Sequence, residues 1–256
     1  MRRIAFINEK GGTCKTTLCV NVAARLAARG RRVLVADLDT QGHAAKSLGV
    51  DPRRLAPTVH EWLLGTASFA AVMRRTAIPG LDLLPANKDL AGWPQAAGAA
   101  GAGVLRRRLD DLPPDAYDLV LVDSPPSRSL VTDNILDAAA ELVIPVALTY
   151  LALDGCAEIL ESLDRLRAEQ GRAPALTLVV ATLYRRTQLA DEILAKLRAR
   201  LGPAVSETVL GWSVKVDEAQ SHGRTVFEWA PRSPGARALA AIADEIDARG
   251  AAYAAA

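Results

Sequence analysis

EKGGTCKTT, residues 9–17, is the stretch on which the reading of this chain turns. An apolar run, residues 4–8, precedes it, and a helical spacing of apolar residues, 16–29, follows it. Strand, glycine-rich turn and helix N-terminus together make an anion site, because the free backbone N–H groups of the turn and first helical turn point at the same place. Gly11 and Gly12 let the backbone approach an anion closely, and Lys15 has the reach to touch terminal phosphates. The hydroxyl of Thr16 is placed to ligate Mg²⁺. Two features break the usual GxxxxGK[ST] spacing: Glu9 stands at the first glycine, and Cys14 stands where glycine normally precedes the lysine. Glycine there tolerates φ > 0, so a cysteine costs on the order of 1–3 kcal/mol. Binding is expected to survive that cost. Two readings of Cys14 stand open: a tolerated small residue, or a thiol whose pKa the helix N-terminus and Lys15 lower, which would make the loop redox-sensitive.

Around the loop the chain alternates short aliphatic runs with longer helical patterns. Strands are expected at 4–8, 32–39, 81–87, 119–124, 142–148 and 176–184. Helices are expected near 16–29 (capped by Gly30), 104–111, 129–139, 154–169, 187–201 and 235–249. Continuous aliphatic strands separated by helices predict an α/β fold: a mostly parallel twisted sheet with helices on both faces. The small-residue stretch 96–103, AAGAAGAG, predicts a flexible loop, and the tail 251–256 a frayed end. Because the alternation does not stop at that stretch, residues 1–256 read as a single domain.

The totals narrow the function. Half of the 256 residues are hydrophobic, enough for a large core, and the net charge of +2 does not by itself demand a polyanionic partner. Cys14, Cys19 and Cys156 form no CxxC pair, which speaks against a disulfide framework and for a reducing cytoplasm. No segment approaches the ~20 apolar residues of a membrane span.

KGGTCKTT resembles the deviant Walker A loop, KGGxxKTT, of the ParA/MinD family of P-loop ATPases. The resemblance implies that Lys10, Gly11, Gly12, Thr13, Cys14, Lys15, Thr16 and Thr17 bind ATP, with Lys10 reaching across a dimer interface to the partner's nucleotide. DLDTQGHA, residues 37–44, resembles the family's DxDPQGN segment and implies that Asp39 positions the attacking water. YDLVLVDSPPS, residues 117–127, resembles the Walker B strand and its switch, implying Asp123 in the Mg²⁺ shell, through water, and Pro125 and Pro126 as a stiff switch. By this resemblance Lys10, Lys15 and Asp39 are the catalytic set, and the cofactors are ATP and Mg²⁺.

VKVDEAQSHG, residues 214–223, resembles the VRLSEAPSHG segment of the partition branch, and 149–160 is similar to that branch's segment between central strands. One departure stands out: the branch carries Pro-Arg before that segment, whereas the equivalent stretch of this chain is Leu210-Gly211-Trp212. The branch implies a homodimer formed with ATP, non-specific DNA binding through Arg185, Arg186, Lys215 and Arg224, a ParB-like or other activating cargo adaptor, and a cytoplasmic, nucleoid-associated place of work. The function implied is the segregation or positioning of a plasmid, chromosome or protein cluster by a slow, partner-stimulated ATPase. Two alternatives remain open on the sequence: a MinD-like membrane-associated positioning ATPase, and a nucleotide-gated scaffold with negligible turnover. The final segment speaks against the first, since its apolar face is mainly alanine with Leu239, Ile242 and Ile246, the mark of a packed helix rather than a lipid anchor.

Overall fold

A computed structural model describes residues 1–149, 152–171 and 173–254. Eight strands form one sheet: β1 (Arg2–Phe6), β2 (Val33–Asp37), β3 (Arg74–Arg75), β4 (Leu81–Leu84), β5 (Leu119–Asp123), β6 (Glu141–Ala147), β7 (Ala175–Tyr184) and β8 (Leu210–Gly211). Their order is β3-β4-β2-β5-β1-β6-β7-β8, parallel throughout except for the β3–β4 pair. The expected architecture is thus present.

Residue parity shows why both faces need cover. Ile4, Phe6, Val33, Val35, Leu119 and Leu121 belong to one buried cluster, while Ala5, Ile7, Leu34, Ala36, Val120 and Val122 belong to the other. Successive side chains of a strand point to opposite faces, so an unbroken aliphatic run is apolar on both. On the first face the helices Lys15–Ala27 and Pro234–Ala254 pack, the latter burying Leu239, Ile242 and Ile246 completely. The other face takes Val104–Asp110, Leu130–Ala138 and Gln188–Leu201 through residues such as Leu105, Ile135 and Leu197.

Several boundaries differ from the sequence reading. The strands after β1 end two or three residues early at positions 39 and 87, because those residues leave the ladder to form loops at the carboxyl edge. The helix expected at 16–29 ends at Ala27. Gly30, at φ +83°, closes it: its N–H donates to Ala27 O and the N–H of Arg31 to Leu26 O, a Schellman pair. The stretch 96–103 is not a flexible loop. It continues the helix Trp93–Ala97 into the 3₁₀ turn Gly98–Gly101. Small residues are needed there because a Cβ on Gly101 would come within 2.9 Å of Leu130 Cδ2, and the Asn134 amide donates to Gly101 O at 2.9 Å. The expected fraying of the tail is also not met: the last helix runs through Ala254, and residues 255–256 lie outside the described residues, as do Tyr150 and Leu151 of the 149–160 resemblance.

Candidate nucleotide site

The loop between β1 and the helix Lys15–Ala27 leaves the carboxyl edge near the centre of the sheet, with β5 on one side and β6 on the other. Ligands in open α/β sheets bind outside that edge. Gly12 has φ +72°, and Cys14, the N-cap residue, has φ +68° and ψ +28°. The cysteine therefore occupies the left-handed conformation that glycine would take without strain. Two contacts hold it: its carbonyl accepts the Leu18 N–H at 2.9 Å, and its side chain packs on the buried cluster below. Thr182 near the end of β7 steadies the same turn by donating to Thr13 O at 3.1 Å.

The thiol is not activated. Burial pushes Cys14 up to about 11; a hydrogen bond with Thr182 opposes this, the Asp217 carboxylate adds to it, and Lys15 opposes it more weakly. Desolvation outweighs the cationic neighbour and the helix terminus, which corrects the reading of a lowered pKa and with it the redox-sensitive loop. Alkylation of Cys14 by iodoacetamide at pH 7.5 is expected to run about two orders of magnitude slower in the folded chain than in the denatured one, since only the thiolate reacts. Mass spectrometry of the tryptic peptide GGTCK, which carries Cys14 alone, reads this directly. Equal rates in the two states would contradict the buried-thiol assignment.

Lys15 is buried, and its ammonium donates to Lys10 O at 3.0 Å, arching the loop. Burial lowers its pKa, with Asp123 and then Asp39 opposing that shift. Thr16 Oγ1 donates to Asp123 Oδ2 at 2.6 Å. Asp123 is fully buried at the end of β5, in register with Phe6 and Asp37. Burial raises its carboxyl to about 7; the Thr16 bond lowers it, the Asp39 charge raises it, and Lys15 lowers it. Its Oδ1 is buried with no hydrogen-bond partner, as is the Ser124 hydroxyl. The Thr16 hydroxyl and the Asp123 carboxylate, with its orphaned Oδ1, form a hard, oxygen-only donor pair that suits Mg²⁺.

Asp37 and Asp39 stand two residues apart, yet the structure gives them different surroundings. Asp37 is fully buried and accepts the backbone N–H groups of Asp39 (3.1 Å), Ala44 (3.1 Å) and Ala45 (3.3 Å). It is a structural clamp that fixes the loop. Burial and the neighbouring Asp123 raise its pKa, and those backbone donors oppose the shift. Asp39 is held by the Gln41 N–H at 3.0 Å and faces a cleft of about 660 Å³. That cleft is lined by Gly11 through Thr17 and, on the far side of the loop, by Leu183 and Trp212. Pro126 lines it too, 4.0 Å from where a Cβ on Gly11 would stand, while Pro125 is buried. Lys10 does not line its own chain's cleft; its N–H donates to Asn8 Oδ1 at 2.9 Å.

The C-terminal segment is tied to the loop helix: the Gln220 amide donates to Thr17 Oγ1 at 2.9 Å, and Asn21 Oδ1 accepts the Val226 N–H at 2.9 Å. The four arginine and lysine residues expected to meet DNA are all exposed, though two are engaged. The Arg185 guanidinium lies 4.9 Å from the centre of the Trp212 ring, and Lys215 pairs with Glu218 at 2.7 Å. Sequence reasoning passed over Thr182, Gln220 and Leu183; Trp212 alone had left a signal, as a departure from the branch pattern.

This constellation defines a nucleotide-binding protein of the P-loop class, with the lysine, hydroxyl and carboxylates arranged around one anion-binding turn. A family model described as an AAA domain matches residues 1–176. The chromosome-partitioning ATPase Soj of Thermus thermophilus is 44% identical over 253 residues, covering 97% of this chain and 96% of that protein. The chromosome partitioning protein ParA of Caulobacter vibrioides is 33% identical, covering 97% of this chain and 95% of its own length. A crystal structure of cobyrinic acid a,c-diamide synthase from Mycobacterium smegmatis with a bound ATP analog and magnesium is 35% identical, with a TM-score of 0.77 over 95% of this chain and 93% of that one. The chain belongs to the ParA/MinD family of ATPases, on the side of the Soj and ParA partition proteins.

Proposed function

We propose that residues 1–256 act as one ATP-driven switch that positions a DNA or protein cargo. Two chains close face to face on two ATP molecules, and the dimer binds DNA without sequence preference. Hydrolysis of ATP to ADP and phosphate, stimulated by a ParB-like or other cargo adaptor, releases it. The observation that carries this reading is a convergence: Lys15, Thr16 and Asp39 line one cleft, and the buried Asp123 is joined to it by the 2.6 Å bond from Thr16.

In this reading the turn N–H groups and Lys15 bind the phosphates, and Asp39, fixed by the clamp of Asp37, orients the attacking water as a proton acceptor. Thr16 and Asp123 hold Mg²⁺, which neutralises phosphate charge and orients the chain of phosphates when bound. Pro125 and Pro126 link the terminal phosphate to the loop that follows β5. A second chain supplies its Lys10. No helix among the described residues is long and apolar enough to cross a membrane. The final helix buries its leucine and isoleucines in the core, which supports the nucleoid over a lipid surface as the place of work.

DNA binding through Arg185, Arg186, Lys215 and Arg224 rests on counterion release, so log K should fall with log salt by about 0.9 per phosphate neutralised. A gel shift with Mg·ATP, or with ADP, across a salt series tests the reading. Arg186→Ala is expected to flatten the slope of the ATP form by about two units, one contact from each subunit. Identical slopes with ATP and ADP would rule out a nucleotide-gated DNA surface.

A further inference from the structure

Sheet order fixes which way a nucleotide lies in the cleft. Asp39 follows β2 and Asp123 ends β5, both on one side of β1; β7 and β8 lie on the other. The terminal phosphate therefore points toward β5 and β2, and the ribose and base toward β7 and β8. With strands about 4.8 Å apart, β8 stands three places, or about 14 Å, from the strand that feeds the loop.

Two unusual residues meet there. Leu183 sits in a β-bulge, between the register pairs Thr182–Leu210 and Tyr184–Gly211, at φ +54°. A leucine in the left-handed region is strained, and such residues persist where surrounding structure enforces them. Trp212 follows directly, its N–H donating to Tyr184 O at 3.1 Å, so the bulge and the tryptophan are one unit. Its side chain is 49% exposed, and both it and Leu183 line the cleft. Arg185, which does not line the cleft, stacks over the Trp212 ring.

We propose that Trp212 is the stacking platform for the nucleobase, with Leu183 forming the adjoining apolar wall and Arg185 backing the ring as a positioning residue. This rests on the phosphate-loop reading above and adds the base-recognition element to it. Stacking is tolerant of base identity because every base has a π-face. The platform thus accounts for affinity toward nucleoside triphosphates over bare polyphosphate and does not by itself choose among bases. Arg185, one of the exposed cations of the DNA surface proposed above, also backs the tryptophan at the nucleotide.

Calorimetry with Mg·ATP and with Mg·tripolyphosphate, which has the phosphates and no base, tests the platform on the full chain. Trp212→Ala should weaken ATP about 10- to 100-fold and leave tripolyphosphate unchanged. Trp212→Phe should stay within about threefold, and Arg185→Ala should lose about two- to fivefold on ATP alone. Tryptophan emission should be quenched by Mg·ATP but not by Mg·tripolyphosphate, and the quench should vanish in Trp212→Phe. ATP affinity unchanged in Trp212→Ala would overturn the platform. So would equal losses for both ligands, which would put the effect on the loop rather than the base. Failure of the unaltered chain to bind tripolyphosphate while it binds ATP would instead strike at the phosphate-loop reading itself.

Discussion

Asp39→Ala is expected to slow ATP turnover at least about 100-fold while leaving ATP binding intact, and to hold the dimer on DNA. A positioned proton acceptor in a hydrolysis step contributes about 10²–10⁴-fold. Asp39 is the carboxylate whose placement fits that task. It faces the cleft, and its own backbone N–H is held at 3.1 Å by the buried Asp37. Asp123 is fully buried behind the loop, where its carboxylate accepts from Thr16 at 2.6 Å, and does not line the cleft. Asp37 is fully buried and occupied by three backbone donors, so its removal would disturb the loop rather than the chemistry alone. Phosphate release measured beside a DNA competition chase separates the outcomes: slow release and long DNA residence are expected together. Turnover within about threefold of the unaltered chain would remove Asp39 from the water-positioning role. Asp39→Asn keeps the shape without the charge and should resemble the alanine variant in rate, since an amide is a poor proton acceptor.

The parts of the fold that were legible in the sequence share one physical property. β2, β5 and β6 are runs whose two faces are both apolar, so periodicity alone marks them. The glycine-pair loop was legible because few residue types permit that backbone, and Gly30 because its left-handed conformation closes a helix. What stayed hidden was short or held by tertiary contact. β8 has two residues and exists because β7 offers it a parallel edge. The helix Val59–Leu64 carried a legible sign that was passed over, the Thr58–Glu61 capping box, in which the Thr58 N–H donates to Glu61 at 2.7 Å. The stretch 96–103 misled because alanine and glycine suit both a mobile loop and a close approach, and only the position of Leu130 and Asn134 decides between them. At the site, residue types gave the chemistry of Lys15, Thr16 and Asp123. Burial, which no local pattern encodes, decided the state of Cys14 and separated Asp37 from Asp39.

Lys10→Ala should leave ATP affinity within about fivefold, since Lys15 and the turn N–H groups remain, yet abolish ATP-driven dimerisation and reduce turnover more than about 100-fold. The reason lies in position. Lys15 lines the cleft and its ammonium donates to Lys10 O, whereas Lys10 itself is half-buried and is not among the residues that line the cleft. On the proposed reading its amine serves the nucleotide of the second chain, so ATP binding and dimerisation separate in this variant. Light scattering with a slowly hydrolysed ATP analogue and Mg²⁺ reads the dimer, and phosphate release reads the rate. A mixing experiment reads the direction of the contact. Lys10→Ala and Asp39→Ala are each expected to be nearly inactive alone. In a mixed two-fold dimer the Asp39→Ala chain lends its lysine to the site that keeps its aspartate, so one site in two is whole. Asp39→Ala chains also pair with themselves, so the recovery grows with an excess of Lys10→Ala chains and cannot exceed half of the unaltered rate per mixed dimer. Were Lys10 to serve its own nucleotide, the mixed dimer would hold one site lacking the lysine and one lacking the aspartate, and mixing would restore nothing.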